Sequence, residues 1–74
     1  MEKKILIKFG NRVREERMKL HLTQEALANK AGLHRTYIGM IERGEKNITL
    51  ENIKKVIDAL EIKLSDFFIG FWCG

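Results

Sequence analysis

Apolar residues recur at helical spacing along most of the chain, and nowhere do they alternate as a half-buried strand would. Phe9, Val13, Arg17 and Leu20 share one stripe, with Arg12, Arg14, Glu15 and Glu16 assigned to the wet faces, which predicts a first helix from about Ile7 to Leu20. Glu15 and Lys19, one turn apart, are expected to add a favourable pair. Thr23 is a good N-cap, and Gln24, Glu25 and Ala26 open a second helix that runs to about Lys30 and stops at Gly32. A third is expected from Arg35 to Glu42, closed by Gly44, whose missing side chain permits the left-handed conformation that ends helices. Thr49 caps a fourth, with Leu50, Ile53, Val56, Ile57 and Leu60 on its apolar face, and Ser65 caps a short fifth that carries Phe67 and Phe68. The fold class is all-α with five helices, and residues 1–74 read as a single domain because no proline, linker or repeat interrupts them.

At 74 residues such a domain buries a modest core, which favours a partner subunit. No apolar run approaches the roughly 20 residues that cross a bilayer, and the apolar run at the start is too short for a signal peptide, so the chain is expected in the cytoplasm, at the nucleoid, with no membrane partner. Cys73 has no second cysteine to pair with, and His21 and His34 are too few and too far apart for a metal site, so neither metal nor cofactor is expected. Paired carboxylates, a nucleophile with its base and a phosphate loop are all missing, which argues against an enzyme. Net charge is +4, and its distribution is uneven: residues 1–37 hold nine Lys/Arg against four Asp/Glu, residues 38–74 five against six. A polyanionic partner fits the basic first half.

The stretch from Gln24 to Arg43 meets the steric demands of a helix-turn-helix. Ala28 supplies the small residue where two steeply crossed helices come closest, and Gly32 the turn residue free to take positive φ. Leu27, Ala31, Leu33, Ile38 and Ile41 face inward. Arg35 and Thr36 then stand at the N-terminal end of the second of these helices, where a recognition helix presents side chains to base edges in the major groove. Arginine reads guanine through O6 and N7, and threonine can donate, accept or touch a thymine methyl. Gln24, Lys46 and Asn47 lie where phosphates would be met; they position, whereas Arg35 and Thr36 specify.

Leu22-Thr-Gln-Glu-Ala-Leu-Ala-Asn-Lys-Ala-Gly-Leu-His-Arg-Thr-Tyr-Ile-Gly followed by Ile41-Glu-Arg-Gly-Glu-Lys-Asn-Ile-Thr-Leu resembles the lambda-repressor-like helix-turn-helix family. Within it, Ala31-Gly-Leu-His-Arg-Thr-Tyr-Ile with Ile41-Glu-Arg-Gly-Glu-Lys-Asn-Ile is similar to the controller proteins of bacterial restriction-modification systems, over about Phe9 to Phe68. The resemblance implies a five-helix domain that dimerises through its last helices and binds a palindromic operator in double-stranded DNA. It also implies regulation of the chain's own gene and that of the endonuclease, activating at low occupancy and repressing at higher. RNA polymerase is the further partner that activation would need. A phage repressor, a Cro-like regulator, or an antitoxin whose aromatic tail binds a toxin are the alternatives. Gly39 and Met40 depart from the family pattern on what is expected to be the outward side of the recognition helix. Met40 is kept among the base-facing residues but cannot donate a hydrogen bond, so readout is expected to rest on Arg35, Thr36 and DNA shape.

The resemblance also implies that Arg17 pairs with Glu42 as scaffolding, and it favours a phosphate contact for Tyr37, whose other reading is packing beside Ile41. Thr23, His34 and Arg43 join the backbone-contacting set, with His34 readable as a helix cap and Arg43 as an ordinary helix-end charge; Lys3, Lys4 and Lys8 read as a solvated face. The aromatic end has two readings. In one, Ile62, Leu64, Phe67, Phe68 and Phe71, with Trp72 beside them, make a symmetric dimer interface from residues 61–74. In the other, Phe67 and Phe68 complete the monomer core and the last four residues fray.

Overall fold

Four of the five helices in the computed structural model, which describes residues 3–69, end in the same way. The helices are α1 (Lys3–Lys19), α2 (Gln24–Ala31), α3 (Arg35–Glu42), α4 (Leu50–Ala59) and α5 (Leu64–Phe67), with no strand among the described residues. After α1, α2, α3 and α4 the chain turns through a left-handed residue: His21 (φ 58°), Gly32 (71°), Gly44 (71°) and Glu61 (62°). At each end the next amide reaches back to a carbonyl five residues earlier, as Leu22 N does to Arg17 O (3.1 Å), Leu33 N to Ala28 O (2.9 Å) and Glu45 N to Met40 O (2.9 Å). This closure satisfies the orphan carbonyls of the last turn. Gly32 and Gly44 take the conformation at little steric cost; His21 and Glu61 carry a Cβ into it and are strained by comparison.

The starts are capped as the side chains dictate. Thr23 Oγ1 accepts from Ala26 N at 3.0 Å and Thr49 Oγ1 from Asn52 N at 3.2 Å, while His34 Nδ1 caps α3 by accepting from Thr36 N at 3.2 Å. The fifth helix differs from expectation. Lys63, not Ser65, is its N-cap and makes no side-chain bond, and α5 is held by the burial of Phe67 and by Arg12 Nη2, which donates to Asp66 O at 3.5 Å.

Phe9, Val13, Leu27, Ile38, Ile41, Val56, Ile57, Leu60 and Phe67 are buried in one core, with Ala28, Ala31 and Ala59 where backbones come close. Helix α3 packs on α1 and α2, and α4 packs on α2 and α5. Two expected placements are corrected. Glu16 is buried on the α1 stripe below Val13 rather than wet, because Arg12 Nε at 3.2 Å and Lys19 Nζ at 3.1 Å neutralise it; Lys19 thus meets Glu16 instead of Glu15. Leu50 is 76% exposed rather than part of the α4 core face, whereas Ile53 in the same first turn packs against the core.

Phe67 settles the two readings of the aromatic end for itself. Its ring is fully buried, 5.3 Å from the Phe9 centroid and 5.0 Å from that of Phe68, with the Arg12 guanidinium 5.5 Å away. It is a core residue and has no surface left for a partner subunit, which corrects its assignment to a dimer interface. Phe68 stacks 6.2 Å from Phe9 and is half-buried. Phe71, Trp72 and Cys73 lie outside the described residues.

Candidate nucleic-acid interface

Helix α3 is fixed in place by its C-terminal end. Glu42, with its side chain 4% exposed, accepts from Arg17 Nε at 2.7 Å and Nη2 at 3.0 Å, a two-pronged contact that matches guanidinium to carboxylate. Gln24 Nε2 adds a third bond to Glu42 at 3.1 Å, and Arg17 Nη1 donates to Leu22 O at 2.8 Å. One carboxylate therefore ties together α1, the loop after it, the start of α2 and the end of α3. A buried carboxylate without such partners would be costly, so the cluster defines the angle at which the helices cross.

Gly10 does the same through close approach. A Cβ there would stand 2.2 Å from Ile41 O and 2.9 Å from Glu42 O, which means that the α1 backbone lies directly on the last carbonyls of α3. No side chain fits between them. Sequence reasoning passed over Gly10, although a glycine inside a helical run is itself a signal of such contact.

With that end anchored, the other side of α3 is left to solvent. At 3.6 residues per turn Thr36, Met40 and Arg43 share the outward stripe, and Arg35 projects from the tip. Arg35 and Thr36 are exposed and Met40 is half-buried. Arg35 Nη1 approaches Glu25 Oε1 only to 4.0 Å and its side chain is 68% exposed, so the guanidinium keeps its fork of donors free. Gly39, expected on the outward side, is instead buried: a Cβ would lie 3.2 Å from Arg43 Nη1 and 3.4 Å from Gln24 Oε1. The glycine is the floor over which the α2 start and the Arg43 side chain pass.

The residues expected to meet the DNA backbone fall around this stripe. Thr23 and His34 use one acceptor each for capping, and Thr23 keeps its own hydroxyl proton. Gln24 is half-buried with one amide proton committed to Glu42, so its side chain is turned inward more than expected. Arg43, Lys46 and Asn47 are exposed, Arg43 Nε lying 3.1 Å from Glu45 Oε2. On the α4 side Tyr37 is half-buried. Its hydroxyl accepts from Asn52 Nδ2 at 3.0 Å, and Lys46 Nζ stands 5.8 Å from its ring centroid. Asn52 drew no attention in the sequence, since nothing in local spacing joins it to a residue fifteen positions away.

An acid displaced from its ordinary value lies elsewhere: Lys30 donates to Glu61 at 2.6 Å and holds that exposed carboxyl below its ordinary value, first through the hydrogen bond and then through charge. Among the described residues no three His, Cys, Asp or Glu stand together as metal ligands, and no helix is long and apolar enough to cross a membrane.

Comparison with known proteins agrees with this geometry. The helix-turn-helix family model matches residues 13–67. The control protein C.BamHI of Bacillus amyloliquefaciens is 45% identical over 67 residues, covering 89% of this chain and 83% of its own. The crystal structure of the restriction-modification controller protein C.AhdI from Aeromonas hydrophila superposes with a TM-score of 0.82 at 48% identity, over 85% of this chain and 96% of that one. The controller protein C.Esp1396I, solved as a tetramer with its natural 35 base-pair operator, gives 0.84 at 35% identity, over 88% and 86% of the two chains. The exposed stripe on a helix pinned from behind and relatives of this kind leave one conclusion: the chain belongs to the helix-turn-helix family of DNA-binding transcriptional regulators, and within it to the restriction-modification controller proteins.

Proposed function

We propose that the protein binds a palindromic operator as a homodimer and from there regulates its own gene and that of a restriction endonuclease, without catalysing a reaction. The observation that carries this is the contrast across α3: a cluster of Arg17 and Gln24 on the buried Glu42 carboxylate behind it and an uncommitted Arg35 and Thr36 in front. On this reading Arg35 and Thr36 read base edges and Met40 offers apolar contact. Thr23, Gln24, His34, Tyr37, Arg43, Lys46 and Asn47 hold the phosphates on either side.

Dimerisation is supported by apolar surface left on the last helices. Leu50 at 76% and Leu64 at 42% exposure line one apolar groove between α4 and α5, and Ile62 is half-buried beside it. Two such faces meeting about a two-fold axis would remove that surface from water and set two recognition helices toward two half-sites. The tetramer of C.Esp1396I on its operator supports paired binding.

The test is a gel shift with the DNA upstream of the protein's own gene against unrelated competitor, for the parent and Arg35→Ala. Binding in two steps that survives competitor and is lost in the variant is the expected result; equal binding to competitor overturns the reading.

A further inference from the structure

Asn52 sends a polar side chain from α4 to the recognition helix, and its geometry has a direction. Thr49 Oγ1 holds the Asn52 backbone amide at 3.2 Å, which fixes where the residue sits in the first turn of α4. From there Nδ2 donates to the Tyr37 hydroxyl at 3.0 Å. A phenol oxygen has lone pairs to accept with and a single proton to give. With a lone pair engaged by Asn52, that proton is left to point away from α4. An accepted hydrogen bond also polarises the O–H and strengthens the bond it donates. The Lys46 ammonium, 5.8 Å from the Tyr37 ring centroid, places a cation beside the same hydroxyl-bearing ring.

We propose that Asn52 is a positioning residue for DNA binding: by donating to Tyr37 it aims the tyrosine's proton at a backbone phosphate that Lys46 attracts. This rests on the reading above in which Tyr37 faces the DNA backbone. Asn52 itself touches no phosphate; it acts through the hydroxyl. An asparagine that merely joined α3 to α4 would affect stability and leave binding to the folded protein unchanged.

The experiment measures affinity of the full chain for the DNA upstream of its gene by fluorescence anisotropy across a salt series. The variants are Tyr37→Phe, Asn52→Leu, Asn52→Asp and the double variant Tyr37→Phe with Asn52→Leu, each checked by thermal melting. Tyr37→Phe and Asn52→Leu are each expected to weaken binding about 3- to 10-fold, and the double variant no more than Tyr37→Phe alone. The salt slope should equal the parent's, because a neutral donor releases no counterion. Asn52→Asp keeps the side-chain shape but can only accept, so it turns the tyrosine proton inward and should cost more than Asn52→Leu. If Asn52→Leu melts far below the parent, Asn52→Asp takes its place in both backgrounds, and its loss must be larger with Tyr37 than with phenylalanine. Parental affinity for Asn52→Leu, or an equal loss in the phenylalanine background, overturns the inference while leaving the phosphate contact of Tyr37 standing. Parental affinity for Tyr37→Phe overturns both.

Discussion

At its C-terminal end α3 meets Glu42's three charged or polar bonds and the Gly10 backbone; at its N-terminal end Arg35 and Thr36 meet little besides a capping histidine and a loosely placed Glu25. On the function proposed above, one eight-residue helix therefore has a structural end and a reading end. Such a short helix is not stable through its own propensity, so its orientation must come from what it is bolted to. Concentrating the constraint at one end leaves the side chains at the other available to a ligand without a cost to folding. The same division predicts that substitutions separate cleanly into those that change melting and those that change DNA binding.

The largest expected effect is at Glu42. Glu42→Ala leaves the Arg17 guanidinium, 13% exposed, without its carboxylate, which should cost roughly 3–5 kcal/mol. Chemical denaturation checks this directly, and a variant melting within a degree or two of the parent would show that the cluster does not anchor α3. Gly10→Ala comes next. Alanine is the better helix former by about 1 kcal/mol, so propensity alone predicts a gain. The new methyl group would meet carbonyl oxygens of the α3 backbone, which cannot rotate aside, and overpacking of this kind should turn that gain into a net loss of about 1–3 kcal/mol. A more stable Gly10→Ala protein would mean that α1 and α3 can separate freely.

At the reading end the signature reverses. Arg35→Ala should weaken specific binding by about 1–3 kcal/mol and relax preference at one base pair, with the melting temperature moved by no more than about 3 °C. Lys46→Ala is milder: it should weaken binding to all sequences alike and reduce the salt slope by about one.

The same contrast explains what could be read from the chain. The limits of α3, the Thr23 and Thr49 caps and the turns at Gly32 and Gly44 were legible because each depends on the chemistry of one residue within a turn of its effect. The outward placement of Arg35 and Thr36 followed from the same register. What was not legible depends on distant backbone. Gly10 and Gly39 read as missing side chains in sequence, and only the packed helices show that another chain segment occupies the space. Glu16 read as wet because periodicity registers apolar stripes and is blind to an acid neutralised on one. Phe67 was equally apolar in either reading of the aromatic end, and its burial against Phe9 required the position of α5. The Arg17–Glu42 pairing came from family resemblance, not from spacing.

The smallest expected effect tests whether burial is what separates the two halves of this comparison. Lys30 and Glu61 approach to 2.6 Å, as closely as Arg17 and Glu42 at 2.7 Å, yet the Glu61 side chain is 64% exposed against 4% for Glu42. Lys30 lowers the folded-state pKa of Glu61 below its ordinary 4.5, so the pair's contribution is present above that value and is lost as pH falls through the lowered one. Glu61→Gln should therefore lower the melting temperature slightly at pH 7, and the difference from the parent should close under acid. Molar salt should also close it at neutral pH, because exposed charges are screened. Glu42→Ala, measured in the same salt, should keep most of its deficit, since the unpaired Arg17 stays in the interior whatever the ionic strength. If the two variants responded to salt alike, distance rather than burial would govern these ion pairs, and the structural end of α3 would be held by no more than an ordinary surface contact.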